Sequence, residues 1–304
     1  MTEALRDIDR RFGFIAVLGA PNAGKSTLVN RLVGAKVSIV SPKPQTTRSR
    51  ITGIAVAGEA QMAFLDTPGI FSPRRRLDRA MIDVAWQSAA DADLIALVVD
   101  ASRPVSRDTM AIIDGLRARR LSALLVLNKV DVVKPPQLLV IAEELNRTGV
   151  FSDTFMISAA TGDGVDDLKR DIAGRLPKGP WHFPEDELSD LPARLLAAEI
   201  TREQVFVQLR QEVPYGAAVE TEAWEEFADG SVKVSQVIHV QRAAHKAIVL
   251  GEGGSRIKAL GAAARGELAK LLGRKVHLML HVRVDERWAE NRDFYRLWGL
   301  EYEA

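Results

Sequence analysis

Eight consecutive residues, Gly19-Ala20-Pro21-Asn22-Ala23-Gly24-Lys25-Ser26, constrain the fold of this chain more than any other feature. The apolar run FIAVL (14–18) precedes them and a helical pattern over 26–33 follows, the strand, loop and helix setting in which a G-x-x-x-x-G-K-S loop wraps phosphates. Glycines let successive N–H groups curl around the phosphate oxygens, and the helix N-terminus adds its positive end. Lys25 is expected to reach the β and γ oxygens, Ser26 to ligate Mg²⁺, and Thr27 to stand beside them in the first turn. The surrounding segments keep the same rhythm. Apolar runs at 62–66, 94–100, 123–128 and 155–159, with an extra strand at 50–57, alternate with helical patterns and predict an α/β domain with a mostly parallel sheet over residues 10–176.

Three further motifs stand at predicted strand ends, where ligands of such sheets bind. Asp66-Thr67-Pro68-Gly69 puts a carboxylate beside the phosphates for Mg²⁺ and a Gly69 N–H in reach of a γ-phosphate; Ile70 follows. Asn128-Lys129-Val130-Asp131 names the base. Guanine offers N1–H and an exocyclic amine on one edge, and the single carboxylate of Asp131 can accept both. Adenine would leave that carboxylate buried and unpaired, a penalty of several kcal/mol. Asn128 suits the far side of the base and orders neighbouring loops, while the Lys129 stem can lie over the purine. Ser158-Ala159-Ala160 offers a backbone N–H to guanine O6. A carboxylate committed to guanine, with no acceptor-substrate pocket, speaks against a metabolic kinase.

At 304 residues the chain is long enough for two domains, and the pattern breaks between Leu176 and Pro192, where four prolines frame Trp181 and Phe183. Residues 177–191 are therefore expected to be a linker and 192–304 a second, α+β domain. Its predicted order is a helix over 192–211, strands at 217–226 and 232–242, a glycine turn at 251–254 with β-type sequence before it, a helix to about 272, a strand at 276–284 and an aromatic helix near 288–300. The turn Gly251-Glu252-Gly253-Gly254 is a G-x-x-G loop of the kind that clamps nucleotide backbone, with Ser255, Arg256 and Lys258 opening the helix behind it. Residues 251–300 hold ten Lys/Arg against six Asp/Glu, a local basic excess in a chain whose net charge is only +1. Glu252 is a carboxylate placed where phosphate would approach. With no cysteine, disulfides, thiolate metal sites and cysteine nucleophiles are excluded, and a reducing cytoplasm fits. Met1–Arg11 mixes acids and bases and lacks a leader-type apolar core, and no run approaches the length of a membrane span.

The motif order GAPNAGKS, TT, DTPG, NKVD, SAA resembles translation-factor-type small GTPases with an asparagine in the phosphate loop. With the WHFP segment, LPARLLAAEITREQVF and the GGS-R-I-K helix, the chain over residues 10–300 resembles the Era family of ribosome-assembly GTPases. The resemblance implies slow GTP hydrolysis to GDP and phosphate, a first switch at Pro44–Arg48 with Thr47 sensing Mg²⁺ and the γ-phosphate (Thr46 the fallback), and a prokaryotic, type II KH fold. It implies that Asn22 holds a K⁺ ion near the β/γ bridge, so that Lys25, Asn22, Thr47 and Gly69 carry hydrolysis; a Ras-type glutamine is absent because Ile70 stands there. It also implies recognition of 16S ribosomal RNA near its 3′ end in maturation of the small ribosomal subunit, by a cytoplasmic monomer. The alternative is a regulatory GTPase with protein or membrane partners. Related proteins associate peripherally with membranes, and Trp288, Phe294, Tyr295, Leu297 and Trp298 are candidates for docking there, although core packing is the preferred reading.

Overall fold

The computed structural model describes residues 9–210 and 212–303, so the leader argument about the first eight residues, and Gln211 as a helix end, lie outside the described residues. The described residues form two compact units: 9–38, 47–190 and 298–303 in one, 39–46, 191–210 and 212–297 in the other.

The first unit contains β1 (Arg11–Leu18), α1 (Lys25–Val33), β2 (Ile51–Ala57), β3 (Ala60–Asp66), α2 (Arg76–Asp91), β4 (Leu94–Asp100), α3 (Arg107–Ala118), β5 (Ala123–Asn128), α4 (Pro135–Asn146), β6 (Phe151–Ile157) and α5 (Val165–Arg175). The six strands lie in the order β2-β3-β1-β4-β5-β6, all neighbours parallel except β2 with β3. Alternate residues of each strand feed opposite faces. Ile15 and Val17 join Leu28, Leu32, Leu168 and Ile172 of α1 and α5, whereas Ala16 and Leu18 join Ala85, Ile112, Leu116 and Leu145 of α2, α3 and α4. A sheet covered on both faces exposes its ligand-binding ends only, and the loops after β1, β3, β5 and β6 are the four motifs. The last strand spans 151–157 rather than 155–159, because the Ser158 N–H turns to the Asp163 carbonyl at 2.9 Å.

Residues 177–190, expected as a linker, belong to this unit. Lys178 bridges to Arg11 and Ser189 to Gly53 as isolated β-pairs, the Trp181 indole donates to the Glu59 carbonyl at 3.1 Å, and the Gln61 side chain accepts from the His182 and Phe183 N–H groups at 3.0 Å each. A segment held at so many points has exchanged its freedom for edge contacts with β1, β2 and β3.

The second unit runs α6 (Ala193–Gln208), β7 (Ala217–Glu226), β8 (Val232–Val240), α7 (Ala243–Leu250), α8 (Ser255–Leu272), β9 (Val276–Val284) and α9 (Arg292–Leu297). β7 pairs antiparallel with β8, and β8 pairs parallel with β9. A parallel pair requires a crossover, and α7, the glycine turn and α8 supply it. The β-type reading before the turn is thereby corrected: residues 243–250 are helical, with His245 and Val249 buried one turn apart. Ala198, Val205 and Leu260 pack with Val219, Ile238 and Val282 to form the core. Residues 39–46 pack in this unit too. Ile39 joins Ile200, Val234 and Leu268, the Val40 N–H donates to Glu203 at 2.7 Å, and the Lys43 ammonium donates to the Phe206 and Leu209 carbonyls at the end of α6.

The C-terminal aromatics bury. Trp288 donates its indole N–H to the Gly216 carbonyl at 3.0 Å, Phe294 packs edge-on against Trp288 and His239, and Tyr295 and Trp298 are covered, leaving Leu297 as the exposed member at 41%. Instead of one helix over 288–300 there is a single 3-10 turn at Trp288–Glu290 followed by α9. No helix among the described residues is long and apolar enough to cross a membrane.

Candidate functional site

Gly24 sits at φ 98° directly before α1, a conformation that favours glycine, and a Cβ there would lie 2.2 Å from Asn128 Nδ2. No side chain caps α1, so its first N–H groups remain available to a ligand. Lys25 is buried and donates to the Gly19 and Ala20 carbonyls at 3.1 Å each. Burial pushes its ammonium down to about 8, with the Asp66 charge opposing. Asn22 occupies left-handed space at φ 64°. Gly69 approaches so closely that a Cβ would stand 2.9 Å from the Pro21 nitrogen, and the Ile70 N–H donates to the Gly19 carbonyl at 3.2 Å. Thr67 closes the junction by donating to the Val17 carbonyl at 2.8 Å.

The residues present fit a divalent cation. Both Asp66 oxygens are fully buried and close no hydrogen bond, and the Ser26 and Thr47 hydroxyls meet at 2.9 Å. Burial pushes the Asp66 carboxyl up, with the neighbouring Ser26 hydroxyl and Lys25 ammonium opposing. A buried carboxylate that closes no hydrogen bond is costly unless a cation compensates it, and here a divalent cation would add to the Lys25 charge. Thr47, not Thr46, stands beside Ser26; the Thr46 hydroxyl is engaged with the Lys43 carbonyl at 2.8 Å and with Ser41 at 2.7 Å.

At the base end, the Asn128 amide is spent on the protein. It donates to the Ala23 carbonyl and accepts from the Ala159 N–H, both at 2.9 Å, so it ties the phosphate loop to the loop after β6. Lys129, at φ 71°, pairs its ammonium with Asp100 at 2.6 Å, which lays its stem across the site. The Asp131 carboxylate is exposed and makes no hydrogen bond or ion pair among the described residues. In the second unit, Gly253 and Gly254 have φ 58° and 76°, Glu252 and Lys258 are exposed, and Arg256 donates back to the Ile248 carbonyl at 2.7 Å.

A family described as 50S ribosome-binding GTPase matches residues 14–129, and the KH domain family matches residues 212–289. The chain is 54% identical to GTPase Era of Rhizobium meliloti (strain 1021) over 99% of its own length and 98% of that protein. The chain belongs to the Era family. GTPase Era of Maricaulis maris (strain MCS10) is 50% identical over 99% of this chain and 100% of its own. A crystal structure of Era in complex with MgGDPNP and nucleotides 1506-1542 of 16S ribosomal RNA superposes with TM-score 0.90 at 38% identity, covering 95% of this chain and 99% of that one. A second, of Aquifex aeolicus Era Y63A bound to GDP.AlF4-, gives TM-score 0.89 at 38% identity over the same shares.

This Era-family chain is thus a GTPase with a KH domain, binding GTP or GDP with Mg²⁺. The structure also brings in residues outside the motifs. Asp100 anchors Lys129 and is held below the usual carboxylate range: burial pushes it up, but hydrogen bonds from Lys129 and Ser102 outweigh that. Asn30 accepts from the Val37 and Ser38 N–H groups at 2.9 Å each, and Arg31 reaches the Ala159 and Ala160 carbonyls. Asp100 closes a strand run, as Asp66 and Asn128 do, which is the signal that could have found it.

Proposed function

We propose that this chain is a GTP-controlled switch that binds the 3′ end of 16S ribosomal RNA and assists maturation of the small ribosomal subunit. The observation that carries this reading is the likeness to Era in complex with MgGDPNP and nucleotides 1506-1542 of 16S ribosomal RNA, because it spans nucleotide motifs and glycine turn alike. We assign the nucleotide to Gly19–Thr27, Asp66–Ile70, Asn128–Asp131 and Ser158–Ala160, and the RNA backbone to the 251–258 segment. The functional domains differ from the expected bounds of 10–176 and 192–304: the nucleotide domain takes in 177–190 and 298–303, and the KH domain takes in 39–46 with 191–297. A cytoplasmic location accords with the ribosomal target.

For hydrolysis, water attacks the γ-phosphorus as the bond to the β/γ bridging oxygen breaks, and GDP leaves with that oxygen. Lys25 and the Gly69 N–H neutralise charge on the β and γ oxygens, and Ser26, Thr47 and Asp66 would hold Mg²⁺. A Mg²⁺ ion held there would supply positive charge against the charge that builds on the phosphate oxygens. The buried Ile70 side chain offers no polar atom to orient water, which accords with slow turnover. Asn22 is assigned to a K⁺ ion: replacing Na⁺ by K⁺ is expected to raise turnover in the wild type and to leave Asn22→Ala unchanged, and equal wild-type rates in both salts would return Asn22 to a loop-stabilising role. The central test is binding of an RNA of nucleotides 1506-1542 with GDPNP or GDP. Tighter binding in the GDPNP form is expected; affinity equal to that of a scrambled RNA overturns the proposal. The alternative membrane reading finds no support in the aromatics, which are buried.

A further inference from the structure

Arg31 belongs to none of the motifs, yet it holds the loop that faces the base. It stands in the last turn of α1, where a cation suits the helix's negative end. Its Nε donates to the Ala159 carbonyl at 3.3 Å and an Nη donates to the Ala160 carbonyl, across 128 residues of sequence. A Cβ on Gly162 would meet Arg31 Nη1 at 3.6 Å, so the guanidinium lies along the whole turn. Arg31 is exposed, so burial does not force this pose; ordering a long side chain costs rotamer freedom that the two hydrogen bonds must offset.

The consequence lies on the other side of the peptide. In a trans peptide the C=O and N–H point in opposite directions. A guanidinium on the Ala159 carbonyl therefore sends the Ala160 N–H away from α1. The Ala159 N–H is already taken by Asn128, whereas the Ala160 N–H has no partner among the described residues. Next to Arg31, Asn30 binds Val37 and Ser38 through three hydrogen bonds of 2.7 to 2.9 Å, so the end of α1 that carries the guanidinium is itself pinned.

We propose that Arg31 is the positioning residue for recognition of the purine 6-oxygen: by fixing two carbonyls, it aims a backbone N–H that distinguishes an oxygen at that atom from weaker acceptors. The proposal rests on the guanine-site reading above. The test measures equilibrium binding of GDP and of 6-thioguanosine diphosphate, whose sulfur accepts weakly, to wild type, Arg31→Ala and Arg31→Lys. Arg31→Ala is expected to weaken GDP about tenfold and the thio analogue by less than about threefold, so the preference for oxygen falls. Arg31→Lys, which keeps one donor, is expected to lie between, and it decides the matter alone if Arg31→Ala does not fold. Equal weakening of both ligands makes Arg31 a general loop support, and no change makes its contacts incidental; either overturns the proposal. A wild type without preference for GDP over ADP overturns the guanine-site reading itself.

Discussion

Two glycine loops in this chain open two helices, and their likeness stops at the backbone. Gly24 and Gly254 both precede their helices with left-handed φ, 98° and 76°, and neither helix has a side-chain cap, so both leave first-turn N–H donors available. A Cβ on Gly24 would strike Asn128 at 2.2 Å; on Gly254 it would meet nothing within 4 Å. Lys25 is buried among carbonyls, whereas Lys258 and Glu252 are exposed. A loop that surrounds a small ligand is assembled from converging segments that fix each other. The 251–254 turn is open on its outer side, as the proposed contact with a polymer backbone requires.

The largest expected effect lies where the small-ligand site is most committed. Asp131→Asn presents a donor to guanine's own donors, so GTP affinity should fall about a thousandfold while xanthine nucleotide affinity rises. A competition assay measures both, and unchanged GTP selectivity would remove the base-reading role.

The same substitution made in each loop tests the comparison directly. Gly24→Ala forces a clash with Asn128 in addition to φ strain and is expected to weaken nucleotide binding about a hundredfold. Gly254→Ala meets only φ strain, about 1 kcal/mol of stability, with GTP turnover unchanged. Thermal melting and nucleotide binding of both variants supply the readouts; equal losses would dissolve the contrast between a packed loop and an open one.

Burial of Lys25 makes nucleotide binding sensitive to pH. Its ammonium, pushed down to about 8 in the free protein, is held protonated by bound phosphates, so binding takes up a proton above that pH. Below about 8 this group adds no pH dependence; above it GDP affinity should fall, approaching about tenfold per pH unit. Titrations near pH 8.5 in buffers of different ionisation enthalpy measure the uptake. For the free protein, a folded value below the unfolded one means that stability gains as pH rises between the two.

Glu252→Lys should produce the smallest change and act on the open loop alone. Exchanging a repulsive charge for an attractive one should tighten RNA binding and steepen its salt slope by about one unit. An unchanged slope would place the loop away from phosphate.

Much of this was legible because phosphate and base recognition use short contiguous stretches with obligatory residue types, and because buried parallel strands read as apolar runs. Strands 94–100, 123–128, 217–226 and 276–284 were predicted to the residue. The helix at Ala243–Leu250 was misread because Ile248, Val249 and Leu250 carry β-type propensity, and its fate depended on the crossover between β8 and β9.

By itself the sequence determined the nucleotide class, the order of the motifs and the two kinds of domain, since each follows from residue types at fixed spacing. Tertiary structure alone decided that 177–190 pack against the first sheet, that Asp100 anchors Lys129 and that Arg31 holds the loop after β6. These are contacts across tens to more than a hundred residues. Local periodicity carries no record of such pairings; they appear when the strands align and bring their loops to one edge.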